Sequence, residues 1–310
     1  MDIPEQPAGS IQDFRENAVH GTPGYPMQVY VNHFRWCPEH LIGWHWHPEL
    51  ELTVVLSGEV EIFFNNTSCR LTAGEGVFIN ANAMHKQSAL PDTTEYPVLA
   101  TLCFLPEFVC GNTDDIIYRK YVRPVTGNKS LRCVRLSPET EWQDDIIRSV
   151  RRICEISERQ DFGYELSSRM LIEELWLRLA GNIAQTPSEP LDRGTLVRER
   201  RLKKMLSYIY SGYQNEMSVD DIARSASVSK SECFRCFRSA IGKKPVEFLN
   251  EYRLKKALEL LGSTDMQVTE VCVACGFGHI SYFGKLFREK YGCSPREYRN
   301  RIVKNQPVQH

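Results

Sequence analysis

The chain contains no run of about 18 apolar residues, which excludes a conventional membrane-spanning helix. Its opening, MDIPEQPAGSIQDF, lacks the basic-then-apolar pattern of a secretory signal. Its 11 cysteines are an odd number, so a complete disulfide framework is also missing. Reduced thiols in a cytoplasmic protein are the expectation. Net charge is nearly absent at −1. With 42% hydrophobic and 25% charged residues the composition is that of a folded globular protein, and 310 residues suffice for two domains.

What is present is unevenly distributed. Residues 1–190 hold 16 Lys+Arg and 26 Asp+Glu, whereas residues 191–310 hold 22 and 13. A basic third on an acidic remainder is the footprint expected when one domain meets nucleic acid. From about 28 to 105, five β-branched and aromatic runs (MQVYVNHF, LELTVVL, EVEIFF, GVFIN and YPVLATLCFL) are punctuated by turn residues. No helical pattern intervenes, so an antiparallel sandwich or barrel is expected. From about 138, Trp142, Ile146, Ile147, Val150, Ile153 and Cys154 recur at helical spacing, with Ser137 as N-cap and Pro138 at the first helical position. A second helix follows over GYELSSRMLIEELWLRLAGNIA, then a polar, proline-containing linker, QTPSEPLDRG. Everything after about Val197 reads helical.

The basic third is an imperfect duplication. Val219 overlays Val268 and Ile222 overlays Val271; further on, Phe237 overlays Phe287, Gly242 overlays Gly292 and Pro245 overlays Pro295. The offset grows by one, so an extra residue sits in the second copy's turn, beside Gly276, Phe277 and Gly278. Each copy runs an apolar helix into a short turn and then an amphipathic helix carrying Arg and Lys, which is a helix-turn-helix arrangement. PVEFLNEYRLKKALELL between them reads as one linking helix, with Pro245 at its start. Two recognition helices on one support would enter successive major grooves.

With these motifs the last hundred or so residues resemble the DNA-binding domain of the AraC family of bacterial transcription regulators. The second copy carries the more specific part: GF, SYF, then Phe287-Arg288, Gly292, Ser294-Pro295 and Tyr298-Arg299. The resemblance implies groove-facing residues Lys230, Ser231, Phe234, Arg235 and Arg238 on the first recognition helix, and His279, Ser281, Lys285 and Arg288 on the second. Arginine can give guanine two hydrogen bonds, while lysine and serine serve bases or phosphates. Gly284 removes one side chain that would otherwise reach a base. The pairs Cys233/Cys236 and Cys272/Cys275 invite a zinc reading, but each thiol overlays an apolar or small residue of the other copy, so core packing is expected. An RNA-binding module lacks support, because no aromatic stacking sheet accompanies the basic region.

The N-terminal half holds a second constellation. His45, His47, Glu51 and Gly58, followed by Gly74 and His85, resemble the two motifs of a cupin, a small antiparallel β-barrel. Glu39 stands where the first motif begins with Gly, and Asn80 and Asn82 replace the usual Pro and Gly of the second. Three imidazoles and a carboxylate on facing strands suit Fe, Mn, Ni or Zn. In the AraC family such a barrel senses an effector, often with the same side chains as metal-free hydrogen-bonding groups. Trp36, Trp44 and Trp46 nearby would suit a small polar ligand such as a sugar, although strand alternation sends Trp44 and Trp46 outward. The expected ligand-binding residues are His45, His47, Glu51, His85 and Trp36; no cofactor is expected, and a divalent metal, if held, would use His45, His47, Glu51 and His85.

The expected fold is thus multidomain α+β: a cupin-like barrel over 1–136, a helical dimerisation segment over 137–186, a linker over 187–197 and an all-α double helix-turn-helix domain over 198–310. The expected function is sequence-specific binding of double-stranded DNA, as an activator controlled by a small polar effector. The protein would act as a homodimer touching RNA polymerase, with no membrane partner and no enzymatic activity. The competing expectation is a cupin metalloenzyme, of dioxygenase or isomerase type, with an appended helical domain.

Overall fold

LELTVVL is buried along nearly its whole length, and the reason organises the first half of the protein. A computed structural model describes residues 20–22, 24–64, 67–112, 114–185 and 193–305, in two units, Met1–Leu196 and Val197–His310. The first unit contains β1 (Met27–His33), β2 (Leu41–His45), β3 (Leu50–Ser57), β4 (Glu59–Phe64), β5 (Thr67–Thr72), β6 (Gly76–Ile79), β7 (His85–Ala89), β8 (Val98–Phe104) and β9 (Cys133–Leu136). Two antiparallel sheets form, in the orders β1-β8-β3-β6-β9 and β2-β7-β4-β5. Val55, Val77, Ile79 and Leu99 of the first meet Ile42, Val60, Ile62, Phe64 and Leu71 of the second in one core. Because successive side chains point to opposite faces, Leu50, Leu52 and Val54 enter a different core, on the outer side of the larger sheet.

That outer core is closed by helices. Two short turns, α1 (Glu107–Cys110) and α2 (Arg123–Thr126), precede the long α3 (Glu141–Arg159) and α4 (Tyr164–Gln185). Ile146, Ile147, Val150 and Ile153 of α3 and Ile172, Leu175, Trp176 and Leu179 of α4 are buried with Leu50, Leu52, Phe78 and Phe104. The apolar stripe of α3 is therefore covered by the sheet within the unit. Helix α4 still leaves Leu166, Met170 and Leu177 more than 60% exposed. Ser137 does not cap α3. It opens a turn, its oxygen Oγ accepting from the Glu139 N–H, and the helix begins three residues later than expected, behind Thr140.

Four strands escaped the sequence reading: β2, β5, β7 and β9. LIGWH, TSCRLT, HKQSA and CVRL are short or polar, and only ladder pairing with neighbours makes them strands. Two of the departures from the cupin motif explain themselves in the backbone. Glu39 (φ 55°) and Asn82 (φ 60°) occupy the left-handed conformation that glycine takes most easily.

The second unit comprises all but the first turn of α5 (Arg193–Gly212), with α6 (Val219–Ser225), α7 (Lys230–Ile241), α8 (Pro245–Ser263), α9 (Val268–Ala274), α10 (Ile280–Tyr291) and α11 (Pro295–Asn305). Residues 193–197, expected as linker, are the first turn of α5, while 187–192 lie outside the described residues. Ser218 and Asp221 form a capping box at α6, and Ser229 caps α7 through the Glu232 N–H. The turns hold four residues between α6 and α7 and five between α9 and α10, the expected extra residue. In both turns the same position is left-handed: Ser227 (φ 54°) in the first and Gly276 (φ 79°) in the second.

Helix α8 joins the copies and also fastens them to α5. Arg253 is 92% buried, and its guanidinium donates to the carbonyl oxygens of Tyr213 and Asn215, both at 2.8 Å, in the loop after α5. Gly276 lies against the same loop: a Cβ there would fall 2.3 Å from the Tyr213 oxygen. Cys233, Cys236, Cys272 and Cys275 are all buried and free, in the core as expected.

Candidate functional site

Strand register brings the N-terminal constellation together. His45 on β2 pairs directly with His85 on β7, and Glu51 lies in the middle of the ladder between β6 and β8. His47 lies just beyond β2, in the connection to β3, where its carbonyl oxygen accepts the Asn82 N–H at 2.8 Å. His45, Glu51 and His85 are completely buried and His47 is 2% exposed. One ligand atom from each of the four lies within 4.8 Å of the others.

Each imidazole is oriented by its own backbone. Nδ1 of His45 faces the Gly43 oxygen at 2.8 Å, Nδ1 of His47 the Glu49 oxygen at 3.2 Å, and Nδ1 of His85 the Ala83 oxygen at 2.9 Å. A carbonyl oxygen only accepts, so each Nδ1 carries a proton and each Nε2 is turned toward the centre of the cluster. Nε2 of His47 and of His85 lie 3.1 and 3.2 Å from Glu51 Oε2. Burial on its own would raise the Glu51 pKa. The charges of His85 and His47 and their hydrogen bonds together outweigh it and hold the carboxyl well below its usual range.

This donor set fits a divalent transition metal. Imidazoles that donate Nδ1–H to backbone carbonyls are the usual supporting arrangement of metal-binding histidines. The 4.8 Å span is wider than the donor–donor distance of a tetrahedral site with bonds of about 2.1 Å, so the side chains would have to close in on an ion.

Trp36 does not join the cluster. It is 67% exposed and its ring lies 4.5 Å from that of His33. Trp46, expected to face outward, is instead only 8% exposed. The residues that sequence reasoning missed surround Glu51. Thr53 Oγ1 and Gln87 Nε2 donate to Glu51 Oε1 at 2.7 and 2.9 Å, and Thr101 Oγ1 is 3.0 Å from Thr53. Gln87 is two residues past His85, hence on the same face of β7, a signal available once β7 is known to be a strand.

In the second unit Lys230, Ser231, Arg235, Arg238, His279, Ser281, Lys285 and Arg288 are all exposed, while Phe234 is half-buried. Ser281, Lys285 and Arg288 lie on α10 at helical spacing, and His279 is its N-cap residue. Their ion pairs are local: Lys230 with Asp220 at 3.0 Å, Arg235 with Glu232 at 3.0 Å and Lys285 with Glu289 at 3.8 Å. Such exposed pairs are weak, near 0–1 kcal/mol, so a phosphate or base edge can displace them. Gly284 leaves open space on α10.

Comparison with known proteins assigns both units. The profile described as a helix-turn-helix domain matches residues 222–301, and the one described as a cupin domain matches residues 33–94. The Bacillus subtilis protein called uncharacterized HTH-type transcriptional regulator YdeC is 27% identical over 290 residues, covering 93% of this chain and 96% of that protein. The HTH-type transcriptional activator RhaR of Mannheimia succiniciproducens is 24% identical over 260 residues, covering 84% of this chain and 88% of that protein. A crystal structure from Chromobacterium violaceum, described as a transcriptional regulator with an AraC-type DNA-binding domain, matches 37% of this chain and all of that one, at 27% identity and a TM-score of 0.33. One profile falls on each unit, so the chain carries a C-terminal helix-turn-helix domain of AraC type and an N-terminal cupin domain, and it is similar to transcriptional regulators along nearly its whole length.

Proposed function

We propose that this regulator binds double-stranded DNA sequence-specifically, activates transcription, and is controlled by a small effector received in the cupin barrel. The observation that carries the reading is the pair of exposed, cation-bearing helices, α7 and α10, held on the single linking helix α8. Arg235 and Arg238 on α7, with Lys285 and Arg288 on α10, supply the groups that contact phosphates and base edges. The name of the Mannheimia relative, an activator, supports activation, with RNA polymerase as the partner touched. The exposed Leu166, Met170 and Leu177 of α4 are the face on which a second copy would pair, giving a homodimer that reads two half-sites.

The effector site of this reading is the cluster of His45, His47, Glu51 and His85. A sugar is not favoured, because Trp36 lies exposed against His33 and builds no wall over those residues. Turnover by a cupin metalloenzyme is not favoured either, because the relatives that align along most of the chain are transcriptional regulators. A metal bound there would supply fixed positive charge and tie three segments of the barrel together. Effector binding then shifts the population of DNA-competent arrangements. Mobility-shift titration of promoter fragments across a salt series tests the reading. Preference for one fragment, with affinity falling as salt rises, supports it. Equal binding to every fragment at every salt refutes it.

A further inference from the structure

We infer that Ile280, with the bare backbone of Gly284 beside it, reads the methyl group of a thymine in the major groove, so that the second recognition helix selects by apolar contact where the first selects by hydrogen bonds. The inference rests on the DNA-binding reading above and names the base edge that one of its helices takes.

The duplication supplies the register. Helices α7 and α10 begin at Lys230 and Ile280, run for 12 residues each and end on the left-handed glycines Gly242 and Gly292. Position for position, Ile280 therefore falls on Lys230, Gly284 on Phe234 and Lys285 on Arg235. Lys230, Phe234 and Arg235 are the groove-facing set of the first copy. Ile280 thus occupies a groove-facing position that a search for cations and hydroxyls passes over.

The local shape suits a methyl group. Residues four apart lie on one face of a helix, so Ile280 and Gly284 are neighbours there. Ile280 is 45% exposed in the N-terminal turn, the part of a recognition helix that meets base edges. A Cβ at Gly284 would meet nothing within 4 Å. The space beside Ile280 is therefore open, and glycine lets backbone approach a ligand closely there. Of the four bases, only thymine presents an apolar group in the major groove. Guanine, adenine and cytosine offer donors and acceptors, which an isoleucine would leave unpaired. The basic residues of the last turn, Arg288 and Lys290, lie at the opposite end of α10, where phosphate contacts do not compete with this reading.

Single exposed apolar residues are ordinary on protein surfaces, and Tyr282 shows the contrast. It too is exposed, but the Asn250 amide donates to its hydroxyl at 3.0 Å and fastens it to α8. Two residues along a helix lie about 200° apart round the axis. Tyr282 thus anchors α10 on one side, and Ile280 projects from the other.

The test selects the preferred site of the full chain from a random duplex pool. Each thymine of that site is then replaced in turn by deoxyuridine, which removes only the methyl, and affinity is read by fluorescence anisotropy. At one position the replacement should weaken wild-type binding about 3–5-fold, the value of one methyl group taken out of water. The loss should vanish in Ile280→Ala and persist in Ile280→Val. It should also persist in Arg235→Ala, which assigns it to α10 rather than α7. Gly284→Ala should lose the same methyl dependence while melting no lower than wild type, because alanine suits a helix interior better than glycine; retained methyl dependence there overturns the part given to Gly284. A selected site indifferent to deoxyuridine at every thymine overturns the inference, as does equal methyl dependence in Ile280→Ala and wild type. A pool from which no preferred site emerges would instead sink the underlying DNA-binding reading.

Discussion

Replacing Gly276 by alanine probes how the second helix-turn-helix unit is held. Gly276 (φ 79°) and Gly292 (φ 70°) are both left-handed, but a Cβ at Gly292 meets nothing within 4 Å. Gly292→Ala therefore costs only the left-handed backbone, about 1–2 kcal/mol. At Gly276 the added Cβ lies 2.3 Å from the Tyr213 oxygen and 2.9 Å from the Gln214 oxygen, both backbone atoms with no rotamer to escape into. Relief means moving the loop that accepts both Arg253 hydrogen bonds. A hydrogen bond to a charged group contributes about 1.5–3 kcal/mol, so losing one brings Gly276→Ala to about 2.5–5 kcal/mol. The two variants should then differ by about 1.5–3 kcal/mol. Urea unfolding provides a spatially resolved readout, because all five tryptophans (36, 44, 46, 142 and 176) belong to the first unit. Far-UV circular dichroism should show the helical transition of Gly276→Ala moving to lower urea while the tryptophan transition stays in place. Equal destabilisation by the two substitutions, or an equal shift of the tryptophan transition, would refute the close-approach argument.

Other consequences are open to direct measurement. Arg235→Ala should weaken promoter binding by about 1–3 kcal/mol and relax preference at one base pair if the residue reads a base, or lower the salt slope by about one if it meets phosphate; unchanged affinity would remove Arg235 from the interface. Asp221 is held below its ordinary pKa by hydrogen bonds from the Ser218 side chain and backbone, and Glu247 by the backbone N–H of Lys244. A depressed folded pKa gives stabilisation that is present above the ordinary value and lost as pH falls through the lowered one. The helical transition should therefore weaken below about pH 4, less so in Asp221→Asn with Glu247→Gln; identical acid profiles would contradict this. Burial pushes the thiols of Cys233 and Cys275 up to about 12. They should resist iodoacetamide at pH 8 until the protein unfolds, with chelator making no difference to that resistance; fast native-state labelling would show that these sites are not packed core.

Much of the second unit was legible in the sequence because its signals are local and repeated. Apolar spacing, Pro245 at a helix start and the one-residue difference between turns are each set by a few neighbouring residues. The duplication also supplied an internal control, by which the cysteine pairs read as core. Arg253 was not legible, since a charged residue on an amphipathic helix ordinarily faces water, and only the loop after α5 gives it a buried pair of acceptors.

The barrel shows the opposite balance. The longer apolar runs of β1, β3, β4, β6 and β8 stand out in the sequence, whereas β2, five residues with a central glycine, and the polar β7, which carry His45 and His85, do not. Residue types at motif spacing pointed to His45, His47, Glu51 and His85. Which nitrogen faces the centre, which oxygen of Glu51 is already committed to Thr53 and Gln87, and where Trp36 goes depend on pairing between strands far apart in the chain. The sequence by itself determined the two domains and the duplicated helices, which follow from local periodicity, and its resemblance to the cupin motifs singled out the four clustered side chains. Tertiary structure alone decided that the four side chains form one buried cluster, because burial and register arise only when separate strands pack together.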